Sequence, residues 1–253
     1  MSPHAAPIKV LVNSVELIEA LAAHGPLTPA ELAERIDVPR SSAYRLVDGL
    51  AAIGLADTLA DGRIRLSLRW LQLADAARDS LIEWAAAAQV LERLVEQTGQ
   101  TAFLSVLAED EAVCIDWRRG RGVDVLALKP GRALPLYAGA AGRVMLAYGV
   151  DTEDYLSRGS FTKLTPDTIT DPELIRREAA LTRERGYALS EQDVSIGISA
   201  LGVPVFRPDG AVAAAVSIGG LSRAFGDDPA RFTPALDEAA AILETALAGE
   251  QRP

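Results

Sequence analysis

The sequence contains very few of the side chains on which metal sites and nucleophilic active sites depend. Its only histidines are His4 and His24, so a Ser-His-Asp or Cys-His site is excluded from everything that follows residue 24. Cys114 is the only cysteine, which rules out an internal disulfide and a cysteine-rich zinc cluster. It stands between Val113 and Ile115, a position typical of a buried strand residue rather than of a redox sensor. We therefore expect no metal ion and no other cofactor.

Long apolar runs and a surplus of positive charge are also missing. No run approaches the ~18 apolar residues of a membrane-spanning helix, and the first residues have neither the basic nor the apolar region of a signal peptide. The 25 Lys and Arg residues are outnumbered by 35 Asp and Glu residues, so non-specific adhesion to nucleic acid or anionic lipid is disfavoured. We expect a cytoplasmic protein with no membrane partner, in which any contact with a polyanion is local.

The residues that are present predict, first, a winged helix-turn-helix domain over residues 1–67. Apolar spacing predicts a helix over residues 10–23, and Thr28 begins a second helix in which Glu31 can reach back to form a capping box. A third helix follows over residues 39–53. Alternating residues around Asp61-Gly62 then predict a β-hairpin, which is the wing.

The remainder of the chain predicts a linker helix region over residues 68–98 and an α+β domain over residues 99–253. Short apolar runs predict strands over residues 101–107, 112–117, 123–128, 201–206 and 211–218. Helical patterns cover residues 139–148, 171–185 and 233–247. Because strands and helices do not alternate strictly, we expect an antiparallel or mixed sheet rather than a parallel one.

Basic and hydroxyl side chains collect where a winged helix would meet DNA. The residues concerned are Arg40, Ser41, Ser42, Tyr44 and Arg45 on the third helix and Arg63 and Arg65 on the hairpin. Asp57 and Asp61 in the wing argue against strong phosphate contact there. The helix is therefore expected to carry most of the recognition.

The sequence resembles the IclR family of bacterial transcriptional regulators over nearly the whole chain. In the first part the resemblance rests on Leu32-Ala33 and on residues 39–46 and 50–54. In the second part it rests on residues 135–143, Leu146-Ala147, Thr168-Ile169, Arg185-Gly186-Tyr187, Gly197, Pro204-Val205, Gly210 and Ser217-Ile218. No single motif identifies the family, but the order and spacing of the motifs together do.

The resemblance implies a winged helix that binds operator DNA as a homodimer or tetramer, a linker helix and a GAF-like effector-binding domain. Members of the family commonly sense small organic acids or aromatic catabolites. The pocket it implies is lined by Ala140, Ala141, Gly142, Ser190, Ile198, Ala200 and Ser217. Family members commonly have an acidic residue at Ser190, a cysteine at Ala200 and a serine at Gly219, so this pocket is expected to be roomier and more apolar. An aromatic organic acid is the effector expected from these departures.

Two other functions remain open from the sequence. The C-terminal part could be a carboxylate-based enzyme with a regulatory winged helix, although the missing histidines, the lack of a Gly-x-Ser-x-Gly motif and the lack of an evident metal cluster count against it. The winged helix could also be a protein-interaction module, since fold does not determine function.

Overall fold

The computed structural model describes residues 8–122 and 128–250 and divides the chain between Ser80 and Leu81 into two compact units. The described part of the first unit contains helices α1 (Lys9–His24), α2 (Pro29–Arg35), α3 (Arg40–Ala52) and α4 (Arg69–Asp79), and strands β1 (Ala56–Thr58) and β2 (Ile64–Leu66). This is the winged helix-turn-helix that the sequence predicts.

Local hydrogen bonds explain where α2 begins. The Glu31 amide donates to the Thr28 hydroxyl, and the Thr28 amide donates to the Glu31 carboxylate at 2.8 Å, which completes the expected capping box. The hydrogen bonds from the amide and hydroxyl of Thr28 hold the pKa of Glu31 below its usual value. The cap therefore contributes stability above the ordinary carboxyl pKa and loses it as pH falls through the lowered one.

The wing is attached to the helices through backbone pairing as well as through the core. β1 and β2 are antiparallel, with Asp57 opposite Arg65, and the amide and carbonyl of Leu27 exchange hydrogen bonds with those of Ile64. Ile64 is also part of a buried cluster that α1, α2 and α3 share. The hairpin is thus held on two sides and is a fixed extension of the helical core.

The segment predicted as a linker helix is not one continuous helix. It contains α4, which belongs to the first unit, a 3-10 turn at Ile82–Trp84, and α5 (Ala87–Thr98), which belongs to the second. The Trp70 indole donates to the carbonyl of Leu55 at 2.8 Å, which ties the start of α4 to the wing.

The second unit is an α+β domain built on an antiparallel sheet. Its described strands are β3 (Thr101–Ala108), β4 (Glu111–Arg118), β5 (Ala133–Pro135), β6 (Ala188–Glu191), β7 (Ile198–Phe206) and β8 (Val212–Leu221), in the order β5-β4-β3-β8-β7-β6. Its further helices are α6 (Gly139–Tyr148), α7 (Thr152–Arg158), α8 (Pro172–Arg185), α9 (Ser222–Phe225) and α10 (Thr233–Glu250).

Strand alternation divides the sheet into two faces with different partners. On β8, Val216 and Ile218 join a large cluster with α5 and α10, whereas Ala215 joins the cluster around α6, α7 and α8. Ser217 and Gly219 lie on that second face. This layering, with helices on both faces, is the GAF-like arrangement expected.

Small residues meet where helix α6 packs against the sheet. A Cβ atom added at Gly202 would lie 3.1 Å from the Cβ of Ser217 and 3.3 Å from that of Ala140. One added at Gly142 would lie 2.4 Å from the carbonyl oxygen of Pro135, so no larger residue fits there without a shift of backbone. The alanine and glycine composition of α6 therefore sets its distance from β7.

Most predicted elements are present, and four short helices and strands were unforeseen. The helix over residues 139–148 has the predicted bounds, and the hairpin turn at Arg207-Pro208-Asp209-Gly210 joins β7 to β8. Strands β5 and β6 and helices α7 and α9 were not predicted, because three to seven residues carry too little periodicity to identify. Residues 123–127 of the strand predicted over 123–128 lie outside the described residues.

We expect Thr28→Ala to destabilise α2 by about 1 kcal/mol, since the change removes the hydroxyl that accepts from the Glu31 amide. Hydrogen exchange of the peptide containing α2 would show faster exchange. Thr28→Ser keeps the cap and should exchange nearly like the wild type. Equal exchange in all three proteins would contradict the capping assignment.

Candidate functional site

The surface of α3 presents the side chains predicted to contact DNA. Arg40, Ser41, Tyr44 and Arg45 are exposed and Ser42 is half-buried, while the intervening Ala43, Leu46 and Val47 face the core. Pro39 precedes the helix and supplies no side-chain cap, so the first amides of α3 point outward without a described acceptor. Free amides at a helix N-terminus favour a phosphate.

The arginines of the wing are arranged differently from those of α3. Arg63 donates to Asp61, with 2.7 Å between Nε and Oδ2, and Arg65 donates to Asp57 at 3.2 Å. The only ion pair of Arg40 among the described residues is an exposed 3.7 Å contact to Glu34, which is worth little, and Arg45 has none. Among the four arginines predicted to contact DNA, those of α3 are therefore less strongly paired than those of the wing.

A groove between α1 and α3 adds a residue that the sequence did not single out. Val10 and Asn13 of α1 line it together with Ser42, Arg45 and Leu46 of α3. Among the described residues, the side chains of Asn13, Ser42 and Arg45 have no hydrogen-bond partner. Asn13 carries no signal in the sequence, because only the packing of α1 across α3 brings it beside Arg45.

The C-terminal unit contains a pocket between the start of α6 and the sheet. Its lining residues surround about 480 Å³ of space, a volume that includes open solvent. Six of the seven residues that the resemblance placed in an effector pocket line it: Ala140, Ala141, Ser190, Ile198, Ala200 and Ser217. The seventh, Gly142, packs against the Pro135 carbonyl behind the wall.

The other lining residues make the walls mainly apolar. They are Phe103, Leu128, Leu134, Gly139, Val194, Ser195 and Gly219. Phe103 stacks on Trp117 with 6.3 Å between ring centroids, so its ring is held in place. A Cβ atom at Gly219 would lie 3.3 Å from that ring, which shows that the glycine leaves the space in front of it open.

Few polar groups face this apolar space without a partner. The Ser217 hydroxyl is buried and has no hydrogen-bond partner among the described residues, and the amides of Ala140 and Ala141 stand in the first turn of α6, before any acceptor within the helix. The Gly139 amide differs because it donates to Asp193 Oδ2 at 3.2 Å. The polar end of the pocket is therefore the start of α6 together with Ser217.

Asp193 is the centre of a buried polar cluster behind that end. Its carboxylate pairs with Arg143 at 2.8 Å and accepts a hydrogen bond from the Ser190 hydroxyl. Arg143 also donates to the carbonyl of Leu189 at 2.5 Å. Because the Ser190 hydroxyl donates its hydrogen bond to Asp193, it is less available to a ligand than the hydroxyl of Ser217.

The loop that carries Asp193 is tied down on its other side as well. The Thr168 hydroxyl donates to the Asp193 carbonyl at 2.6 Å, and the Thr165 hydroxyl donates to the Gln192 carbonyl at 2.7 Å. Gln192 adopts φ of +56°, and its side chain accepts from the Gly197 amide. The loop can therefore hold Val194 and Ser195 as a fixed wall of the pocket.

Cys114 lies beside the pocket wall but is sealed from solvent. It forms a buried cluster with Phe103 and Leu128. Burial, with a smaller contribution from Asp116, raises the pKa of its thiol from 9.0 to about 12. This agrees with a packing role, as expected.

Two kinds of feature are absent from the described part of the chain. No group of three or more His, Cys, Asp and Glu residues there is placed to hold a metal ion. No described helix is long and apolar enough to cross a membrane.

Comparison with known families assigns both units. Residues 10–60 match the IclR helix-turn-helix domain, and residues 79–244 match the bacterial transcriptional regulator IclR C-terminal domain. The chain belongs to the IclR family. It is a transcriptional regulator with a helix-turn-helix domain and an effector-binding domain, which confirms the resemblance seen in the sequence.

Similar IclR-family proteins are named as regulators rather than as enzymes. The HTH-type transcriptional regulator KipR of Bacillus subtilis (strain 168) is 29% identical over 222 residues, covering 87% of this chain and 89% of KipR. The transcriptional repressor IclR of Escherichia coli (strain K12) is 25% identical over 255 residues, covering 98% and 93%. These names support the prediction that the chain is not an enzyme.

Solved IclR structures share the architecture. An IclR regulator from Alicyclobacillus acidocaldarius has a TM-score of 0.81 at 28% identity, covering 96% of this chain and 100% of its own. An IclR homolog from Microbacterium hydrocarbonoxydans, crystallised with 4-hydroxybenzoate, has a TM-score of 0.78 at 26% identity, covering 95% and 99%.

We expect Cys114 to react with iodoacetamide at pH 8 at least about a thousandfold more slowly in the native protein than in denaturant, because the raised pKa leaves almost no thiolate. Mass spectrometry of timed samples would measure this. Rapid alkylation of the native protein would contradict the buried position.

Proposed function

We propose that this IclR-family protein is a cytoplasmic, ligand-responsive regulator that binds operator DNA through α3 and a small, aromatic organic acid in the pocket beside α6. The observation that carries the effector assignment is the combination of apolar walls with one polar end, formed by the α6 amides and Ser217. An aromatic ring suits the walls and a carboxylate suits the amides.

DNA recognition is proposed to depend on Arg40, Ser41, Ser42, Tyr44 and Arg45, with a smaller contribution from Arg63 and Arg65. The unpaired Arg45 is available to a guanine edge or a phosphate, whereas each wing arginine must first leave a carboxylate. Asn13 lies in the same groove as Arg45 and is proposed as a backbone contact from α1.

A homodimer or tetramer is proposed as the binding form. A two-fold dimer presents two copies of α3 to one face of the duplex, so its half-sites would lie ~34–36 Å apart or a multiple of that distance. The operator would then be an imperfect palindrome or a paired repeat.

The effector is proposed to occupy a pocket whose lining includes Ala140, Ala141, Ser190, Ile198, Ala200 and Ser217, with Gly142 supporting the helix from behind. The Microbacterium homolog contains 4-hydroxybenzoate, a ligand with the ring and carboxylate that this pocket suits. Such a ligand would act by binding one of two conformations more tightly and so shifting the population that binds DNA.

The proposal is tested by titrating the protein against DNA from upstream of its own gene, with and without a panel of aromatic and short aliphatic acids. We expect a specific complex whose affinity changes with an aromatic acid. Calorimetry that finds only pyruvate-sized acids, or only uncharged compounds, would reject the effector class. A protein that binds no upstream DNA would favour the interaction-module alternative.

We expect Arg45→Ala to weaken operator binding by about 1–3 kcal/mol and, if Arg45 reads a base, to relax the preference at one base pair. Arg63→Ala is the matched control, and its smaller expected effect follows from the pairing of Arg63 with Asp61. Gel-shift titrations over operator variants measure both. An equal loss from both substitutions would contradict the dominance of α3.

We expect Ala200→Phe to abolish the effector response while leaving operator binding intact, because a phenyl group would fill the space between Ala200, Gly219 and Phe103. Ala200→Ser adds one atom and should retain the response. Fluorescence anisotropy with labelled operator, with and without acid, measures both functions. A full response from the phenylalanine variant would place the effector elsewhere.

A further inference from the structure

A buried pair of opposite charges stands directly behind the polar end of the pocket. Asp193 accepts hydrogen bonds from the Gly139 amide and the Ser190 hydroxyl, and both of these residues line the pocket. Arg143, one turn further along α6 than Gly139, pairs with the same carboxylate at 2.8 Å. Only 8% of the Arg143 side chain and 1% of the Asp193 side chain are exposed, so water screens their charges weakly.

The carboxylate of Asp193 occupies the position in which a helix binds an anion most directly. It accepts a hydrogen bond from the first amide of α6, that of Gly139, and leaves the amides of Ala140 and Ala141 for other acceptors. By itself this negative charge would repel a second carboxylate from the same end of the helix. The guanidinium of Arg143 cancels that repulsion.

The neighbouring charges preserve this balance. Arg143 also lies 3.4 Å from Glu178, and Glu178 lies 3.7 Å from Arg185. Two cations and two carboxylates therefore form one connected cluster with no net charge. The Nε atom of Arg143 is buried without a described partner, so the guanidinium is not saturated by this cluster.

We propose that the Arg143–Asp193 pair keeps the charge behind the pocket balanced, so that a change to either residue alters how strongly the pocket prefers an acid to its uncharged analogue, an inference that rests on the proposed effector site. In the wild type the pair is neutral, and the preference comes from the α6 amides and Ser217. Removing either charge leaves the cluster with a net charge behind the polar end of the pocket. Because the two residues carry opposite charges, their removal changes the preference in opposite directions.

The test compares 4-hydroxybenzoate with 4-hydroxybenzamide, two probes of nearly the same shape that differ in charge. Calorimetry on the full-length protein gives the ratio of the Kd of the amide to the Kd of the acid. We expect Asp193→Asn to raise this ratio and Arg143→Gln to lower it, each by about tenfold or more. The remaining buried charge is weakly screened by water, so it attracts or repels the carboxylate of the acid strongly. The double variant should return the ratio to near the wild-type value.

Both single variants break the same ion pair, so a purely structural role would shift the two ratios in the same direction or not at all. Arg143→Lys keeps the charge and should keep the ratio. Arg176→Gln, which removes a cation from an exposed pair with Glu153, should also leave the ratio unchanged. If Arg143→Gln fails to fold, the rise in the Kd ratio expected for Asp193→Asn still tests the proposal.

A wild type that binds the probes, with ratios that do not move or that move together in the two variants, would overturn this inference and leave the proposed effector class standing. If neither probe binds the wild type or any variant, the effector class is rejected and this inference with it.

Discussion

The close packing of α6 against β7 is the constraint on which the effector-binding unit depends. Gly202 and Ala140 meet where any larger side chain would force the helix away from the sheet. The whole of α6 before its last residue is buried, so its first amides must find acceptors inside the protein or from a ligand. Asp193 supplies one acceptor, and the pocket opens beside the amides that remain.

The same requirement explains why the loop after β6 has so many anchors. A buried carboxylate is costly unless it is paired and hydrogen-bonded. Asp193 meets this condition through Arg143, Ser190 and Gly139. The threonine contacts to the loop backbone then hold the carboxylate in place. The same set of contacts therefore stabilises the fold and fixes the geometry of the pocket.

In the DNA-binding unit, the residues that pack the core are more clearly separate from the residues proposed to contact DNA than packing and pocket residues are in the effector-binding unit. Its core residues face inward from α1, α2, α3 and the wing, and Arg45, which has no described ion pair, is exposed on α3. The wing uses its acidic residues to pair its own arginines, which lowers the charge that it offers to a phosphate backbone. A chain with an overall charge of −10 can present a local DNA-binding surface in this way.

Local sequence determined the longer helices other than the linker, the capping box at Thr28 and the Asp61-Gly62 hairpin, because each depends on residues close together in the chain. The order of motifs along most of the chain identified the family. The family resemblance named six residues that line the pocket. The pairing of Arg143 with Asp193, the place of Asn13 beside Arg45 and the pairing of Arg65 with Asp57 could not be foreseen. Those contacts join residues far apart in sequence or depend on strand register, so only the tertiary structure decided which polar groups remain free.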